Sequence, residues 1–198
     1  TKLELFNVLS EKVKCIIAGG GLANTFLKAA GHEIGNSMYE EMFIDSAKKI
    51  IEKAKSLNTK LILPTDVRVS SDISQELNSR VVKLNHISFN DVILDFGPET
   101  MGIIGKEVNA ANKILWNGPL GVFEKDAFSY GTRSLAELIK DAPGYTIAGG
   151  GDTIAAINKF IDVDMLDYVS TGGGAFMEFF EKNGNIPAIE ALNPEFCA

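Results

Sequence analysis

The sequence predicts an α/β domain, a mostly parallel sheet with helices on both faces in three layers. Three observations predict it. Short apolar runs alternate with amphipathic segments along most of the chain. The runs are bounded by glycine or proline and are apolar throughout, as in strands covered on both faces. Nine of the 19 glycines lie in three triplets, Gly19–Gly21, Gly149–Gly151 and Gly172–Gly174, each between an apolar run and a helical one. Ligands of such sheets sit beyond the carboxyl ends of the strands, which is where these triplets fall.

Taken in order, Leu3, Phe6, Leu9 and Val13 recur at helical spacing, so residues 3–13 read as an amphipathic helix. Cys15–Ala18 is a buried strand running into the first triplet. Leu22–Ala30 is a helix with Gly31 at its C-terminal cap. Residues 38–57 form the longest predicted helix, with Met42, Ile44, Ala47, Ile50, Ile51 and Ala54 on one side. Lys60–Leu63 is a strand closed by Pro64. Residues 65–90 have little pattern beyond a strand at Arg80–Leu84. Asp91–Asp95 is a strand, 99–111 a helix, and Lys113–Trp116 a strand ending at Asn117-Gly118-Pro119. A helix over 126–140, a strand at Tyr145–Ala148 and a helix at Asp152–Phe160 follow. A strand at Tyr168–Ser170 and a helix to about Lys182 complete the pattern. One domain spans residues 1–186, with a tail at 187–198.

Composition bounds the function. The 198 residues are 45% hydrophobic and 23% charged, enough for a core. The net charge of −7 argues against general nucleic-acid binding, which needs a basic face. Cys15 and Cys197 make neither a disulfide framework nor a metal cluster, which suits a reducing, cytoplasmic setting. No apolar run approaches the ~18 residues of a membrane span. The first residue is Thr1, and the chain enters a helical pattern at once, so the sequence reads as cut from a longer protein.

Glycine lets a backbone approach a ligand closely. Successive N–H groups at a helix N-terminus then form an anion site. Three such turns on one edge predict a phosphate-rich ligand. In Gly149-Gly150-Gly151-Asp152-Thr153, the amides of Gly150, Gly151, Asp152 and Thr153 would hold phosphate, and Asp152 would take magnesium, which prefers oxygen ligands. The plainer alternative makes Asp152 the helix N-cap. In the segment Trp116–Glu124, Asn117 is a donor for phosphate, Val122 a face for adenine and Glu124 an acceptor for ribose hydroxyls, or the segment is an ordinary loop. Leu94 is either core or a wall of the base pocket. A dinucleotide oxidoreductase domain is the alternative enzyme, opposed by the missing G-x-G-x-x-G motif. A stand-alone nucleotide-binding module is the non-enzymatic one.

Together, Ile16–Lys28, Ile114–Glu124, Ala148–Thr153 and Val169–Ala175 resemble the signatures of the phosphoglycerate kinase family, in order and spacing. The resemblance is to its C-terminal, nucleotide-binding half and implies a Rossmann-like three-layer fold. It implies reversible phosphoryl transfer between 1,3-bisphosphoglycerate and ADP, giving ATP and 3-phosphoglycerate in glycolysis, with Mg2+. Lys2 would contact the nucleotide phosphates, and Gly20, Gly21, Leu94 and Val122 would surround adenine. Asn117 would reach phosphate and Glu124 the ribose, while Gly150, Gly151, Asp152 and Thr153 would hold phosphate, with Asp152 on the metal. Gly173 and Gly174 would aim amides at the transferring group. The 3-phosphoglycerate site belongs to the family's N-terminal half, against which the 187–198 tail would pack. The chain alone is therefore expected to be a monomer that binds ADP or ATP with little or no turnover. Ile93 stands where the family usually has glycine, and Phe176 where it commonly has serine.

Overall fold

The structure is a computed structural model that describes residues 2–182 and 184–186. The Lys2 side chain and the tail at 187–198, both given roles above, lie outside the described residues. The described residues form eight strands: β1 (Cys15–Ile17), β2 (Lys60–Ile62), β3 (Asp66–Ser70), β4 (Arg80–Lys83), β5 (Val92–Phe96), β6 (Lys113–Trp116), β7 (Tyr145–Gly149) and β8 (Tyr168–Ser170). Seven α-helices accompany them: α1 (Lys2–Leu9), α2 (Gly20–Ala29), α3 (Ile44–Ser56), α4 (Pro98–Ala110), α5 (Tyr130–Lys140), α6 (Gly151–Phe160) and α7 (Gly174–Glu181).

β1 pairs parallel with β2, and β6-β7-β8 form a parallel ladder. The third ladder, β4-β3-β5, is antiparallel. Parallel pairings therefore predominate, as expected. Two of the three antiparallel strands, β3 and β4, fall in 65–90, where the sequence pattern is weakest. β3, Asp-Val-Arg-Val-Ser, interleaves polar residues with apolar ones and was not expected. It is nevertheless a central strand, with Val67 and Val69 fully buried and Asp66 and Ser70 buried beside them. Both buried polar side chains have a backbone partner: Ser70 donates to the Gln75 carbonyl at 2.8 Å, and Asp66 accepts from the Thr100 amide at 2.7 Å.

The helices fall into two packed groups, α1, α2, α3 and α7 in one and α4, α5 and α6 in the other. One core joins them through Phe26, Ala47 and Ile50, through Phe96, Trp116 and Ala148, and through Ile104, Ile139 and Ile157. Three predicted helix boundaries change, one of them that of the 126–140 helix, which begins only at Tyr130 after a 3-10 turn at Asp126–Phe128. α1 stops at Leu9, before Val13, and the 38–57 helix begins only at Ile44, after a 3-10 turn at Glu41–Phe43. Met42 is consequently 81% exposed and not on the buried side. Gly31 does follow α2, at φ 88°, one residue beyond the cap Ala30. No helix among the described residues is long and apolar enough to cross a membrane.

Candidate functional site

Three strand ends and one loop build a single edge. β1 runs into Gly19–Gly21, β7 into Gly149–Gly151, β8 into Gly172–Gly174 and β6 into the loop 117–124. The loop is bound to the first triplet, because the Gly20 amide donates to the Leu120 carbonyl at 3.1 Å. Gly19 lies so close that a Cβ would come within 2.8 Å of the Leu120 side chain. The loop is also bound to β5, through the Val122 amide donating to the Leu94 carbonyl at 2.9 Å. These bonds bring Gly20, Leu94 and Val122 together. Leu94 is itself 6% exposed and so belongs to the core behind the edge.

The loop is fastened to the second triplet as well. Asn117 Nδ2 donates to the Gly149 carbonyl at 2.6 Å, and the Thr153 hydroxyl accepts from the Gly118 amide at 2.7 Å. The Asn117 side chain, read from sequence as a phosphate donor, and the Thr153 hydroxyl are thus engaged in holding loop and triplet together. Gly150 is the N-cap of α6 and turns the chain at φ 102°, a left-handed conformation costly for other residues. A Cβ there would also press on Asn117 Nδ2 at 2.7 Å.

Asp152 is therefore not the N-cap. It sits in the first turn of α6, exposed, and caps nothing with its side chain. The first-turn amides of α6 have no acceptor within the helix. They present the positive end of its dipole beside a carboxylate free to coordinate. Glu124 is exposed, and its carbonyl accepts from Lys159 Nζ at 3.2 Å. In the third triplet, the Gly172 amide donates to the Ser170 hydroxyl at 3.2 Å. Gly173 turns at φ 52°, and Gly174 opens α7. The Phe176 ring lies over Gly149, tying the third triplet to the second.

A family profile described as phosphoglycerate kinase matches residues 1–183. The chain belongs to the phosphoglycerate kinase family. It is 47% identical over 192 residues to the phosphoglycerate kinases of Francisella tularensis subsp. holarctica and of Coxiella burnetii. Each match covers 97% of this chain and 49% of the relative. Among solved structures, the Coxiella burnetii phosphoglycerate kinase superposes with a TM-score of 0.92 at 46% identity, over 96% of this chain and 49% of that one. The Pyrococcus horikoshii phosphoglycerate kinase superposes with a TM-score of 0.73 at 27% identity, over the same shares. The chain thus spans about half the length of the phosphoglycerate kinases it matches.

Two residues that shape this edge were not picked out in the sequence. Asp95, on β5, is 1% exposed, and its Oδ2 accepts from the Gly131 amide at 2.8 Å. Thr132, fully buried, accepts through its hydroxyl from the amides of Leu120 at 3.1 Å and Gly121 at 3.3 Å. A lone carboxylate inside the apolar run Val92–Phe96 is the available signal for Asp95, since a buried acid needs partners. Burial pushes the Asp95 carboxyl up to about 7, against the opposing pull of the Gly131, Phe96 and Tyr130 amides and the Arg68 charge.

Proposed function

We propose that this chain binds ADP or ATP with Mg2+ as the nucleotide-binding part of a phosphoglycerate kinase, the phosphotransferase that interconverts ATP and 3-phosphoglycerate with ADP and 1,3-bisphosphoglycerate. The observation that carries this is the convergence of three glycine turns and the 117–124 loop on one strand edge. The exposed Asp152 stands at the head of α6 on that edge. In this reading Gly20, Gly21 and Val122 receive adenine, with Leu94 buried behind them, and Glu124 receives the ribose. The amides of Gly150, Gly151, Asp152 and Thr153 hold phosphate, with Lys2 reaching it from α1. Asn117 and Thr153 act on the phosphate indirectly, by holding loop and turn in register.

The donor set fits a hard divalent cation. Asp152 offers carboxylate oxygens with no hydrogen bond or ion pair to another described residue, and magnesium is commonly held by one or two carboxylates plus substrate phosphate. Among the described residues no cluster of three or more His, Cys, Asp or Glu competes for such an ion. When bound, magnesium neutralises charge on the phosphates. The protein's own part is positioning and electrostatic stabilisation, which dominate phosphoryl transfer. The reacting groups, a carboxylate and a phosphate, are already ionised at neutral pH, so no general base is needed. The Gly173 and Gly174 amides stand at the head of α7 to receive the transferring group. The acid substrate would be held by a basic surface outside this chain.

Calorimetric titration of ADP into the chain, with and without Mg2+, tests the reading. Binding is expected in both conditions and tighter with Mg2+. Asp152→Ala should remove most of the Mg2+-dependent gain, about tenfold or more, while changing metal-free binding less than about twofold, because one charge-assisted ligand is lost. No binding at millimolar ADP would overturn the proposal.

A further inference from the structure

The strongest unexplained feature is the buried Asp95. One of its oxygens, Oδ2, is bound by the Gly131 amide, and the other, Oδ1, is buried without a hydrogen-bond partner. That second oxygen is enclosed by two glycines from different segments. A Cβ on Gly121, in the 117–124 loop, would overlap it, and a Cβ on Gly131, in α5, would come within 2.5 Å. The carboxylate is thus the floor on which the loop and the first turn of α5 both rest. The next residue of that turn, Thr132, holds the Leu120 and Gly121 amides. Leu120 in turn accepts from Gly20, and Val122 donates to Leu94. A run of contacts therefore links the Asp95 carboxylate to Gly20, Val122 and Leu94, three of the residues placed around the base.

We infer that Asp95 is a positioning residue for the nucleotide loop: through the first turn of α5 it fixes where residues 117–124 lie, and adenine-nucleotide affinity depends on its carboxylate. This rests on the nucleotide reading above. The ionised carboxylate accepts from the Gly131 amide at the positive end of α5, and so draws that turn, with Thr132 and the loop, onto the sheet. The protonated acid is a weaker acceptor and releases part of that hold. Arg68, opposite Asp95 in the β3–β5 register, is the charged group acting on it from the neighbouring strand. From the α5 side only backbone amides act, and the loop presents Gly121, which has no side chain. The change of state therefore belongs to Asp95 near neutrality.

The experiment compares metal-free ADP affinity of the wild-type chain, Asp95→Asn and Thr132→Val from pH 5.5 to 8.5. Taking ratios cancels protonation of the nucleotide itself. Asp95→Asn is expected to bind about fivefold more weakly than wild type at pH 8.5 and within twofold of it at pH 5.5, in line with the loss of a charge-assisted bond. Thr132→Val should be weaker by a similar factor at every pH. A folded Asp95→Asn whose ratio to wild type does not change with pH overturns the inference, and so does a Thr132→Val that binds as wild type. A second measurement needs no variant. In the wild-type chain without nucleotide, the NMR shifts of the Leu120, Gly121 and Gly131 amides should titrate with the Asp95 carboxyl, and loop amides that ignore that titration overturn the inference. Absence of ADP binding by wild type at any pH would instead remove the nucleotide reading, leaving the coupling of Asp95 to the loop to be read from those shifts alone.

Discussion

Gly149 has no room for a methyl group. A Cβ there would run into the Phe176 ring, which packs edge-on against Phe180 at 5.2 Å between centroids. The contact joins the turn that would hold phosphate to the turn that would face the transferring group. Gly149→Ala should therefore destabilise the chain by about 1–3 kcal/mol, the usual cost of overpacking. Phe176→Ser removes the obstacle, so the same glycine substitution should cost clearly less in that background. A double-mutant cycle by urea unfolding checks this, and equal costs in both backgrounds would show that the ring does not set the limit. The other neighbours of this turn are visible only in three dimensions. Sequence places Asp152 as a candidate cap, whereas the backbone gives the cap to Gly150 and leaves the carboxylate exposed. Asn117 and Thr153 lie 36 positions apart in the chain, and nothing local to either reveals that each is fastened to the other's turn.

At the scale of elements, the fold repeats one device, an aspartate on a strand that serves a helix following another strand. Asp66, on β3, accepts from the Glu99 amide at 3.0 Å and the Thr100 amide at 2.7 Å, so it caps α4 from outside that helix. The Thr100 hydroxyl also donates to it, at 2.6 Å. Gly97, the N-cap position of α4, has no side chain because the Asp66 carboxylate fills that space. Asp66→Asn should cost about 2 kcal/mol in urea unfolding, since the charge-assisted cap of a buried helix start is lost. Amide exchange at Glu99 and Thr100 should speed up more than at the α5 amides. Uniform loss of protection would mean that Asp66 serves the whole sheet and not that cap. The same device explains what was legible in the sequence. The parallel strands β1, β6, β7 and β8 announce themselves because burial on both faces demands apolar runs closed by glycine. β3 did not, because its Asp66 and Ser70 are buried through partners 34 positions away or across a turn. Asp95 stands out as a lone acid in an apolar run, but its role could not be read for the same reason: it is set by Gly121 and Gly131, which no periodicity connects to β5.

For the molecule as a whole, a chain of net charge −7 offered a polyphosphate poses an electrostatic question. The lysines flanking the loop are already committed. Lys159 Nζ donates to the carbonyls of Phe123 and Glu124 and pairs with Asp126 at 3.1 Å, and Lys125 pairs with Glu76 at 2.7 Å. Attraction for phosphate must then come mostly from backbone amides at the turns, with Lys2 added from α1, and amides act over a few ångströms and are little affected by salt. The repulsion from the acidic surface acts over longer distances and is screened, as the Debye length falls from about 30 Å at 0.01 M to about 10 Å at 0.1 M. Metal-free ADP should therefore bind somewhat more tightly, by about two- to threefold, as KCl rises from 10 to 100 mM, with the gain mostly in the association rate. Affinity that instead falls by tenfold over that range would place the binding on basic side chains. Stopped-flow association rates at the two salt concentrations separate these outcomes, because a site built on amides gains in on-rate while one built on lysines loses it.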